Sequence, residues 1–264
     1  MDTSSLQPRP PVPPRGAAVE PGTKTGLRVA ISGDVEVGTY LEIAQGKNSQ
    51  VPGADAYSNA PTEHLPSARE TVVVLDFGSQ YSMLIARRIR EARVYCEIVP
   101  HNTPWEAIAH LRPKGFVLSG GPASVYEAGA PQAPSYVFER GVPVLGICYG
   151  MQLMAHQLGG EVVPGSKREY GHAVVHQSGR SESLFATLPD ALPVWMSHGD
   201  RVSRLPPGFR SLAFTENSPV AAMGNDQGMI GLQFHPEVVH TQQGKEILKN
   251  FLYRVCGCSG NWTP

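Results

Sequence analysis

The sequence predicts an α/β fold in which a doubly wound, mostly parallel sheet is flanked by helices and extended by a small antiparallel addition. Two observations lead to this prediction. From residue 71 to residue 158, short and nearly all-apolar runs alternate with helical stretches, which is the pattern of a parallel sheet with helical crossovers. From residue 161 to about residue 237, the segments are shorter and richer in strand-forming residues, which indicates the antiparallel addition.

Four apolar runs predict the parallel strands. The first, at residues 71–76, reads Thr-Val-Val-Val-Leu-Asp and is typical of a strand that is buried on both faces. The other three lie at residues 95–99, 115–119 and 142–147. Because helical stretches separate these runs, we expect the strands to pair in parallel.

The helices are expected between and after these strands. The first follows the turn at Phe77 and has apolar residues at positions 83, 84, 85 and 89. Thr103-Pro-Trp-Glu has the form of a capping box with proline at the first helical position, so a second helix is expected to begin there. The remaining helices are expected around residues 135–140, at 149–158 before a glycine pair, and at about 241–255.

The composition argues against several classes of protein. The chain has 264 residues and a formal net charge of −1, so it has no basic excess for binding nucleic acid or an anionic membrane. No apolar run approaches the length of about 20 residues that a membrane span needs, and the N-terminus has no apolar signal segment. Four cysteines in a chain of this length fit a reducing compartment, and we expect a cytoplasmic protein.

Prolines are concentrated near the N-terminus, where residues 8–14 read PRPPVPP. Residues 1–69 are rich in Pro, Gly, Ser and Ala and have few large apolar side chains. We predict that they form a disordered or poorly ordered extension, or that they reflect a misplaced gene start. A tail that recruits a proline-binding module is the alternative. The folded domain is expected at residues 70–255.

Cys148 lies at the centre of Gly146-Ile-Cys-Tyr-Gly150, a thiol version of the nucleophile elbow. A nucleophile at a sharp strand-to-helix turn needs small residues two positions before and after it, because the strand and the helix pass close together. The N-terminus of the following helix favours a thiolate at this position. From this pattern alone, a buried structural cysteine is the alternative.

His235 and Glu237 flank a proline after the apolar run at residues 229–232. From a strand end, His235 can take the proton of Cys148, and Glu237 can accept a hydrogen bond from the other imidazole nitrogen and fix its tautomer. The alternative is a surface histidine and glutamate in a loop. That alternative suits either residue singly but explains poorly the presence of both beside a proline at a strand end.

Several segments resemble those of a known family. Gly146-Ile-Cys-Tyr-Gly-Met-Gln and His235-Pro-Glu resemble the paired motifs of class I glutamine amidotransferases. Within that class, the chain from about residue 71 onward is similar to the amidotransferase domains of the GMP synthase family. The matching segments are Leu75-Asp-Phe-Gly-Ser-Gln-Tyr, Ser119-Gly-Gly-Pro, Lys167-Arg-Glu-Tyr-Gly, Trp195-Met-Ser-His-Gly-Asp and Gln233-Phe-His-Pro-Glu-Val-Val-His-Thr.

The resemblance implies glutamine hydrolysis by a Cys-His-Glu triad. It implies that Cys148 attacks the side-chain amide, that His235 acts as base and then as acid, and that Glu237 orients His235. A γ-glutamyl thioester then forms and is hydrolysed to glutamate. The resemblance places the oxyanion hole at the backbone N–H groups of Gly121 and Tyr149, which agrees with a glycine pair at a strand end and a position next to the nucleophile.

The resemblance also implies substrate contacts at Gln152, Ser197, His198 and Asp200. Gln152 lies one helical turn after the nucleophile, so its amide is expected to face the same pocket. Ser197 and His198 line the site of the amino-acid head group, largely through their backbone, and Asp200 pairs with the ammonium group. The alternatives are a solvent-facing helix glutamine for Gln152 and a solvated turn for the other three residues.

Other polar segments have no catalytic task. The resemblance implies that the segment from Lys167 to Gly171 faces a synthetase partner, and a plain charged loop is the alternative.

Cys96 is expected in the core. Cys256 and Cys258 do not complete a zinc site, because no histidine or second cysteine pair lies near them in sequence. We expect neither a metal nor a cofactor for glutamine hydrolysis.

The resemblance further implies a second activity outside this sequence. In that family, an ATP-pyrophosphatase domain uses ATP and Mg²⁺ to activate xanthosine monophosphate, and ammonia then converts the nucleotide to GMP. The Ser-Gly-Gly-Val-Asp-Ser phosphate loop of such domains does not occur here. Residues 256–264 resemble the start of the linker to that domain, so we expect a truncated fused enzyme; the alternative is a split subunit. The expected partners are L-glutamine and the ATP-pyrophosphatase domain or subunit.

Two other classes of function are alternatives to this prediction. A regulatory module would keep the fold and only dock a synthetase, but it would not need to retain Cys148, His235 and Glu237 together. Another cysteine hydrolase of the same fold, such as a γ-glutamyl peptidase, is disfavoured by the segment from Trp195 to Asp200.

Overall fold

The computed structural model describes residues 69–179 and 183–264. Within them, nine strands form one mixed sheet. In chain order the strands are β1 (Thr71–Asp76), β2 (Tyr95–Pro100), β3 (Gly115–Leu118), β4 (Val144–Ile147), β5 (Glu161–Gln177), β6 (Ala191–Arg204), β7 (Arg210–Phe214), β8 (Ala222–Gly224) and β9 (Met229–Leu232). Their order across the sheet is β2-β1-β3-β4-β9-β8-β7-β5-β6.

In the described part of the chain, five α-helices cover the two faces of this sheet. They are α1 (Ser82–Glu91), α2 (Trp105–Ile108), α3 (Tyr136–Glu139), α4 (Tyr149–Gln157) and α5 (Gly244–Asn250). A 3₁₀ turn at Ala109–Leu111 continues α2, and a π turn at Phe251–Val255 continues α5. Buried side chains of α1 and α5 belong to one hydrophobic core, and those of α2, α3 and α4 belong to the other. The predicted doubly wound α/β class is therefore confirmed.

The parallel part of the sheet consists of β2, β1, β3, β4 and β9, each paired in parallel with its neighbour. All residues of β3, β4 and β9 are buried, and so are the first five residues of β1, as its apolar run predicted. Strand β9 lies in the region that the sequence assigned to the antiparallel addition. It pairs antiparallel with β8, as that assignment predicted, but parallel with β4, which the assignment did not predict. Its parallel pairing with β4 brings the carboxyl ends of the two strands together.

The antiparallel part is longer than the sequence indicated. Strand β5 has 17 residues and β6 has 14, so the prediction of shorter segments between residues 161 and 237 is wrong for these two strands. Interior glycines and prolines interrupt their apolar pattern, which conceals the length of the strands in the sequence. The β5–β6 ladder also shifts register between Pro164 and Glu169.

Helix α2 begins without a side-chain cap, so the predicted capping box at Thr103 is wrong. The Thr103 hydroxyl donates a hydrogen bond to the Pro100 carbonyl at 2.8 Å, and its N–H donates to the same oxygen at 3.0 Å. The side chain thus closes the turn after β2 and is not available to the helix N-terminus.

Helix α5 begins at Gly244, later than the predicted start near residue 241. The residues before it form a turn in which the Thr241 N–H donates to the Val238 carbonyl. A Cβ atom at Gly244 would overlap the carbonyl oxygen of Pro236. The start of α5 is therefore in direct contact with the segment that follows β9.

Residues 256–264 pack on the domain. The Cys256 sulfur lies against Gly115, and the Trp262 N–H donates to the Arg93 carbonyl at 2.9 Å. The Trp262 ring lies 5.8 Å from the ring of Tyr95, centroid to centroid. The role of this segment as the start of a linker stays a prediction.

The predicted extension at residues 1–69 lies outside the described residues, except for Arg69. The Arg69 guanidinium lies 4.4 Å from the centroid of the Tyr95 ring, a cation–π contact. In the parts of the chain that the structure describes, no helix has the length and apolar character needed to cross a membrane.

Two glycines allow α4 to approach β3 and β4 closely. A Cβ atom at Gly150 would overlap the carbonyl oxygen of Leu118, and one at Gly146 would lie 2.6 Å from the Gly150 carbonyl group. Contacts this short with backbone atoms cannot be relieved by a change of rotamer. The spacing of small residues in the predicted elbow therefore has a packing cause.

Replacing Gly150 with alanine should lower the free energy of unfolding by about 1–3 kcal/mol, because α4 must move away from β3. The matched control is Gly199→Ala, where the added Cβ would lie 3.8 Å from the nearest side chains, those of Arg168 and Tyr170. Urea unfolding curves of both variants provide the measurement. Equal stability of the two variants would contradict the close packing of α4.

Candidate active site

Cys148 occupies the turn between β4 and α4. Its backbone has φ 52° and ψ −105°, a strained conformation for a residue with a side chain. The Cys148 N–H donates to the Leu232 carbonyl at 2.7 Å, so the end of β9 holds this turn. The sulfur lies near the N-terminus of α4, where the helix dipole favours negative charge. This is the strand-to-helix turn that the glycine spacing predicted.

His235 and Glu237 reach the same edge of the sheet from the end of β9. The Nδ1 atom of His235 lies 2.7 Å from Oε1 of Glu237. Both residues are buried, with exposed fractions of 4% and 1%. Because β4 and β9 are parallel neighbours, Cys148 and His235 follow adjacent strand ends. The structure therefore brings the three predicted triad residues together.

The environment of His235 stabilises its charged form. Burial opposes protonation, but hydrogen bonds with Cys148 and Glu237 and the negative charges of both raise the pKa of His235 to about 10. At neutral pH, the imidazolium can therefore persist between the sulfur and the carboxylate. An imidazolium in this position can hydrogen-bond the sulfur of Cys148 and can give a proton to a leaving group.

Two residues not singled out in the sequence hold His235 and Glu237 in place. The Thr241 hydroxyl donates to the His235 carbonyl at 2.6 Å and accepts from the Trp195 N–H at 3.0 Å. The His235 N–H in turn donates to the Trp195 carbonyl at 3.1 Å. Arg88 donates from Nε to the Glu237 carbonyl at 3.0 Å. Strand β6 and helix α1 thus both fix the segment that carries the triad histidine.

The predicted oxyanion residues lie beside Cys148. A Cβ atom at Gly120 would lie 3.9 Å from the Cβ of Cys148, so the backbone after β3 faces the nucleophile directly. A Cβ atom at Gly121 would lie 2.9 Å from the Phe77 carbonyl oxygen and 3.2 Å from the Tyr149 ring, which leaves no room for a side chain. Tyr149 is the first residue of α4, where backbone N–H groups lack intrahelical acceptors.

Two polar groups lie close to the sulfur of Cys148, and Gln152 is hydrogen-bonded to one of them. The Ser197 carbonyl oxygen lies 3.6 Å from Sγ, and Nε2 of Gln233 lies 3.9 Å from it. Gln152 is buried, and its Nε2 donates to the Asp200 carbonyl at 2.9 Å and to Oε1 of Gln233 at 3.2 Å. The alternative of a solvent-facing Gln152 is therefore wrong.

His198 and Asp200 belong to β6, so the alternative of a solvated turn is wrong for this segment. The Asp200 carboxylate accepts hydrogen bonds from the hydroxyls of Ser124 and Tyr126, the latter at 2.8 Å. His198 is buried, with Nδ1 2.9 Å from the Asp200 carbonyl oxygen and Nε2 3.1 Å from Oε2 of Glu169. The roles of both residues toward a substrate stay predictions.

The other three cysteines lie in the hydrophobic core. Cys96 is fully buried and its sulfur lies 3.5 Å from the Ala86 carbonyl oxygen. Burial raises the pKa of Cys256 well above its usual value and that of Cys258 to about 11, so both stay protonated at neutral pH. In residues 69–179 and 183–264, no group of three His, Cys, Asp or Glu residues is arranged to hold a metal ion.

The segment from residue 167 to residue 171 lies within β5. Arg168 and Tyr170 are exposed, whereas Glu169 between them is buried. The segment borders a groove with a volume of about 460 Å³, which is also lined by His172, Met196, Glu216 and Asn217. Its role in docking a partner stays a prediction.

Three of the buried polar residues at the site, Gln233, Thr241 and Glu169, lie in segments that the sequence matched but were given no role of their own. Gln233 directly follows an apolar strand. A buried amide at such a position needs hydrogen-bond partners, so this position could have indicated a residue of the site. Thr241 sits in a turn and Glu169 sits between two exposed residues, so neither pattern indicated burial.

Comparison with known proteins identifies the family. The family model for glutamine amidotransferase class-I matches residues 73–255. Over 197 residues the chain is 64% identical to the glutamine-hydrolyzing GMP synthase of Dehalococcoides mccartyi, a match that covers 75% of this chain and 37% of that protein. Over 194 residues it is 62% identical to the glutamine-hydrolyzing GMP synthase of Thermomicrobium roseum, covering 74% and 36%. The chain thus spans little more than a third of the length of these relatives.

A solved structure supports the same assignment. A protein from Thermoplasma acidophilum, described as one subunit of a GMP synthase, superposes with a TM-score of 0.66 at 32% identity. The match covers 73% of this chain and 96% of that one. The chain therefore belongs to the class I glutamine amidotransferase family, as the resemblance of its motifs predicted.

Proposed function

We propose that this chain hydrolyses L-glutamine through Cys148, His235 and Glu237 and supplies the ammonia for GMP synthesis. The observation that carries the proposal is the strained Cys148 at the N-terminus of α4, beside a buried His235–Glu237 pair. A thiol in this position is activated by the helix dipole and by the imidazolium. The names of the GMP synthases to which the chain is similar support the choice of substrate.

In the first half of the proposed reaction, the Cys148 thiolate attacks the side-chain amide carbon of glutamine. The N–H groups of Gly121 and Tyr149 donate to the oxyanion that develops. His235 gives its proton to the departing nitrogen, the C–N bond breaks and ammonia leaves. A γ-glutamyl thioester then remains on Cys148.

In the second half, water attacks the thioester carbon while His235 takes a proton from that water. Collapse of the tetrahedral species breaks the C–S bond, so glutamate leaves and the Cys148 thiolate is restored. Glu237 keeps its hydrogen bond to Nδ1 of His235 throughout, which fixes the tautomer and directs Nε2 toward the reacting atoms.

We assign the binding of glutamine to β6 and α4. The backbone at Ser197 and His198 and the carboxylate of Asp200 hold the amino-acid head group, while Gln152 contacts the substrate from α4. The assignment is supported by the Ser197 carbonyl at 3.6 Å from the Cys148 sulfur and by the hydrogen bond from Gln152 to the Asp200 carbonyl. The Asp200 carboxylate accepts one hydrogen bond on each oxygen, from Ser124 and Tyr126, and each oxygen keeps a further lone pair for an ammonium group.

The ammonia is proposed to pass to an ATP-pyrophosphatase domain or subunit, which aminates xanthosine monophosphate. ATP and Mg²⁺ act only there, and glutamine hydrolysis needs no cofactor because every step above uses a side chain, a backbone N–H or water. The exposed Arg168 and Tyr170 on β5 are proposed to contact this partner in the cytoplasm. A docking module without catalysis is disfavoured, because the complete triad would serve no purpose in it.

Replacing Cys148 with alanine should abolish glutamate release from glutamine, because no thioester can form. The control is Cys96→Ala, which removes a core thiol from β2 and should retain most of the activity per folded molecule. Glutamate release is measured for both variants alongside their far-UV spectra. Full turnover by the Cys148 variant would overturn the assignment of the nucleophile.

His235 should titrate near pH 10 rather than near its usual value of 6.5. Because its pKa is raised in the folded state, the stability contributed by protonation is fully present below pH 6.5 and is lost as the pH rises toward 10. Nuclear magnetic resonance of the imidazole nitrogens measures the midpoint. In Cys148→Ala the midpoint should fall, because one hydrogen bond and one negative charge are removed. A midpoint near 6.5 in the unmodified chain would contradict the ion-pair arrangement.

A separately expressed ATP-pyrophosphatase domain from a similar GMP synthase, loaded with ATP and xanthosine monophosphate, should speed glutamate release by this chain. The physical reason is that a ligand-loaded partner binds the active arrangement of the site better than the idle one. The assay detects glutamate and GMP together, with the unloaded domain as control. Unchanged glutamate release in the presence of a bound, loaded domain would contradict this coupling.

A further inference from the structure

Glu169 is a buried carboxylate that the reaction above does not use. It lies on β5 between two exposed residues, yet only 8% of it is exposed. Both of its carboxylate oxygens have partners within the protein. Oε1 accepts from the Thr215 hydroxyl at 2.9 Å, and Oε2 lies 3.1 Å from Nε2 of His198.

The His198 imidazole is held from both sides. Its Nδ1 lies 2.9 Å from the Asp200 carbonyl oxygen, which can only accept, so Nδ1 carries a hydrogen. A second hydrogen lies between Nε2 and Oε2 of Glu169, and it completes the other hydrogen bond. Because only 6% of His198 is exposed, loss of Glu169 would leave Nε2 as a buried group without its partner.

His198 lies between the two backbone carbonyls of β6 that face the candidate site. The Ser197 carbonyl oxygen precedes it and lies 3.6 Å from the Cys148 sulfur. The Asp200 carbonyl follows it and accepts from both His198 and Gln152. A rotation of the His198 ring would therefore remove one of the two hydrogen bonds that hold the Asp200 carbonyl and leave only the bond from Gln152, at the place where β6 and α4 are proposed to hold glutamine.

We propose that Glu169 is a positioning residue for glutamine binding: through His198 it fixes the β6 backbone that faces Cys148. The inference rests on the proposed function and adds to it a residue that touches neither the substrate nor the triad. Its action is geometric, since the carboxylate supplies one hydrogen-bonding oxygen to His198 and one to Thr215.

If the role of Glu169 is geometric, Glu169→Gln should preserve it. The amide N–H₂ can donate to Nε2 of a neutral His198, and the amide oxygen can still accept from Thr215. Both contacts survive although the charge is lost. In Glu169→Leu, the volume is similar but neither hydrogen bond can form.

The test measures the dissociation constant of L-glutamine by calorimetry in the full chain carrying Cys148→Ala, in which no turnover consumes the ligand. Adding Glu169→Leu should weaken binding about tenfold, the loss expected for one buried hydrogen bond. Adding Glu169→Gln should keep the dissociation constant within about threefold of the Cys148→Ala chain, because it preserves both contacts.

The matched control is Thr215→Val, which removes the other partner of Glu169 and leaves the contact with His198. It should lower thermal stability but leave glutamine binding unchanged. Equal weakening by Thr215→Val and Glu169→Leu would overturn the positioning role in favour of general support of the sheet, as would unchanged binding in Glu169→Leu. If the Cys148→Ala chain did not bind glutamine at all, the proposed function itself would be contradicted, and this inference with it.

Discussion

The close approach of α4 to β3 and β4 is the constraint on which the candidate site depends. Without side chains at Gly146 and Gly150, the helix can follow the strand after a single strained residue, and that residue is Cys148 with φ 52°. The same turn brings Tyr149 against Gly121 and points the N-terminus of α4 toward the sulfur. One packing contact thus sets the backbone of the nucleophile, the proposed oxyanion donors and the local electrostatic field.

Strands β9 and β6, from the second half of the chain, contribute the remaining residues of the candidate site. Strand β9 pairs in parallel with β4 and delivers His235 to the edge where Cys148 lies. Strand β6 then contacts both of them, because its Trp195 carbonyl accepts from the His235 N–H and its Ser197 carbonyl faces the Cys148 sulfur. The long strand β6, paired with β5, is therefore one wall of the candidate site, and the hydrogen bond from Gln152 to the Asp200 carbonyl joins that wall to α4.

How well the sequence predicts each part of this arrangement depends on how far apart in sequence the interacting residues are. The first parallel strands and the elbow are visible because apolar runs and glycine spacing are local signals. The length of β5 and β6 was missed because interior glycines and prolines resemble strand ends. The capping box failed because Thr103 bonds back to Pro100 instead of forward to the helix. Gln233 is hydrogen-bonded to Gln152, and Glu169 to His198. Because these partners are far apart in sequence, no local pattern predicts either contact.

The central claim is that the strained Cys148, and no other cysteine of the chain, is the nucleophile that attacks glutamine. Its most direct test is to treat the unmodified chain with a glutamine analogue that carries a diazoketone in place of the amide, and to map the adduct by peptide mass spectrometry. We expect one adduct per chain, on Cys148, which forms more slowly when glutamine is added as a competitor. An adduct on Cys96, Cys256 or Cys258, or labelling of Cys148 that glutamine does not slow, would contradict it.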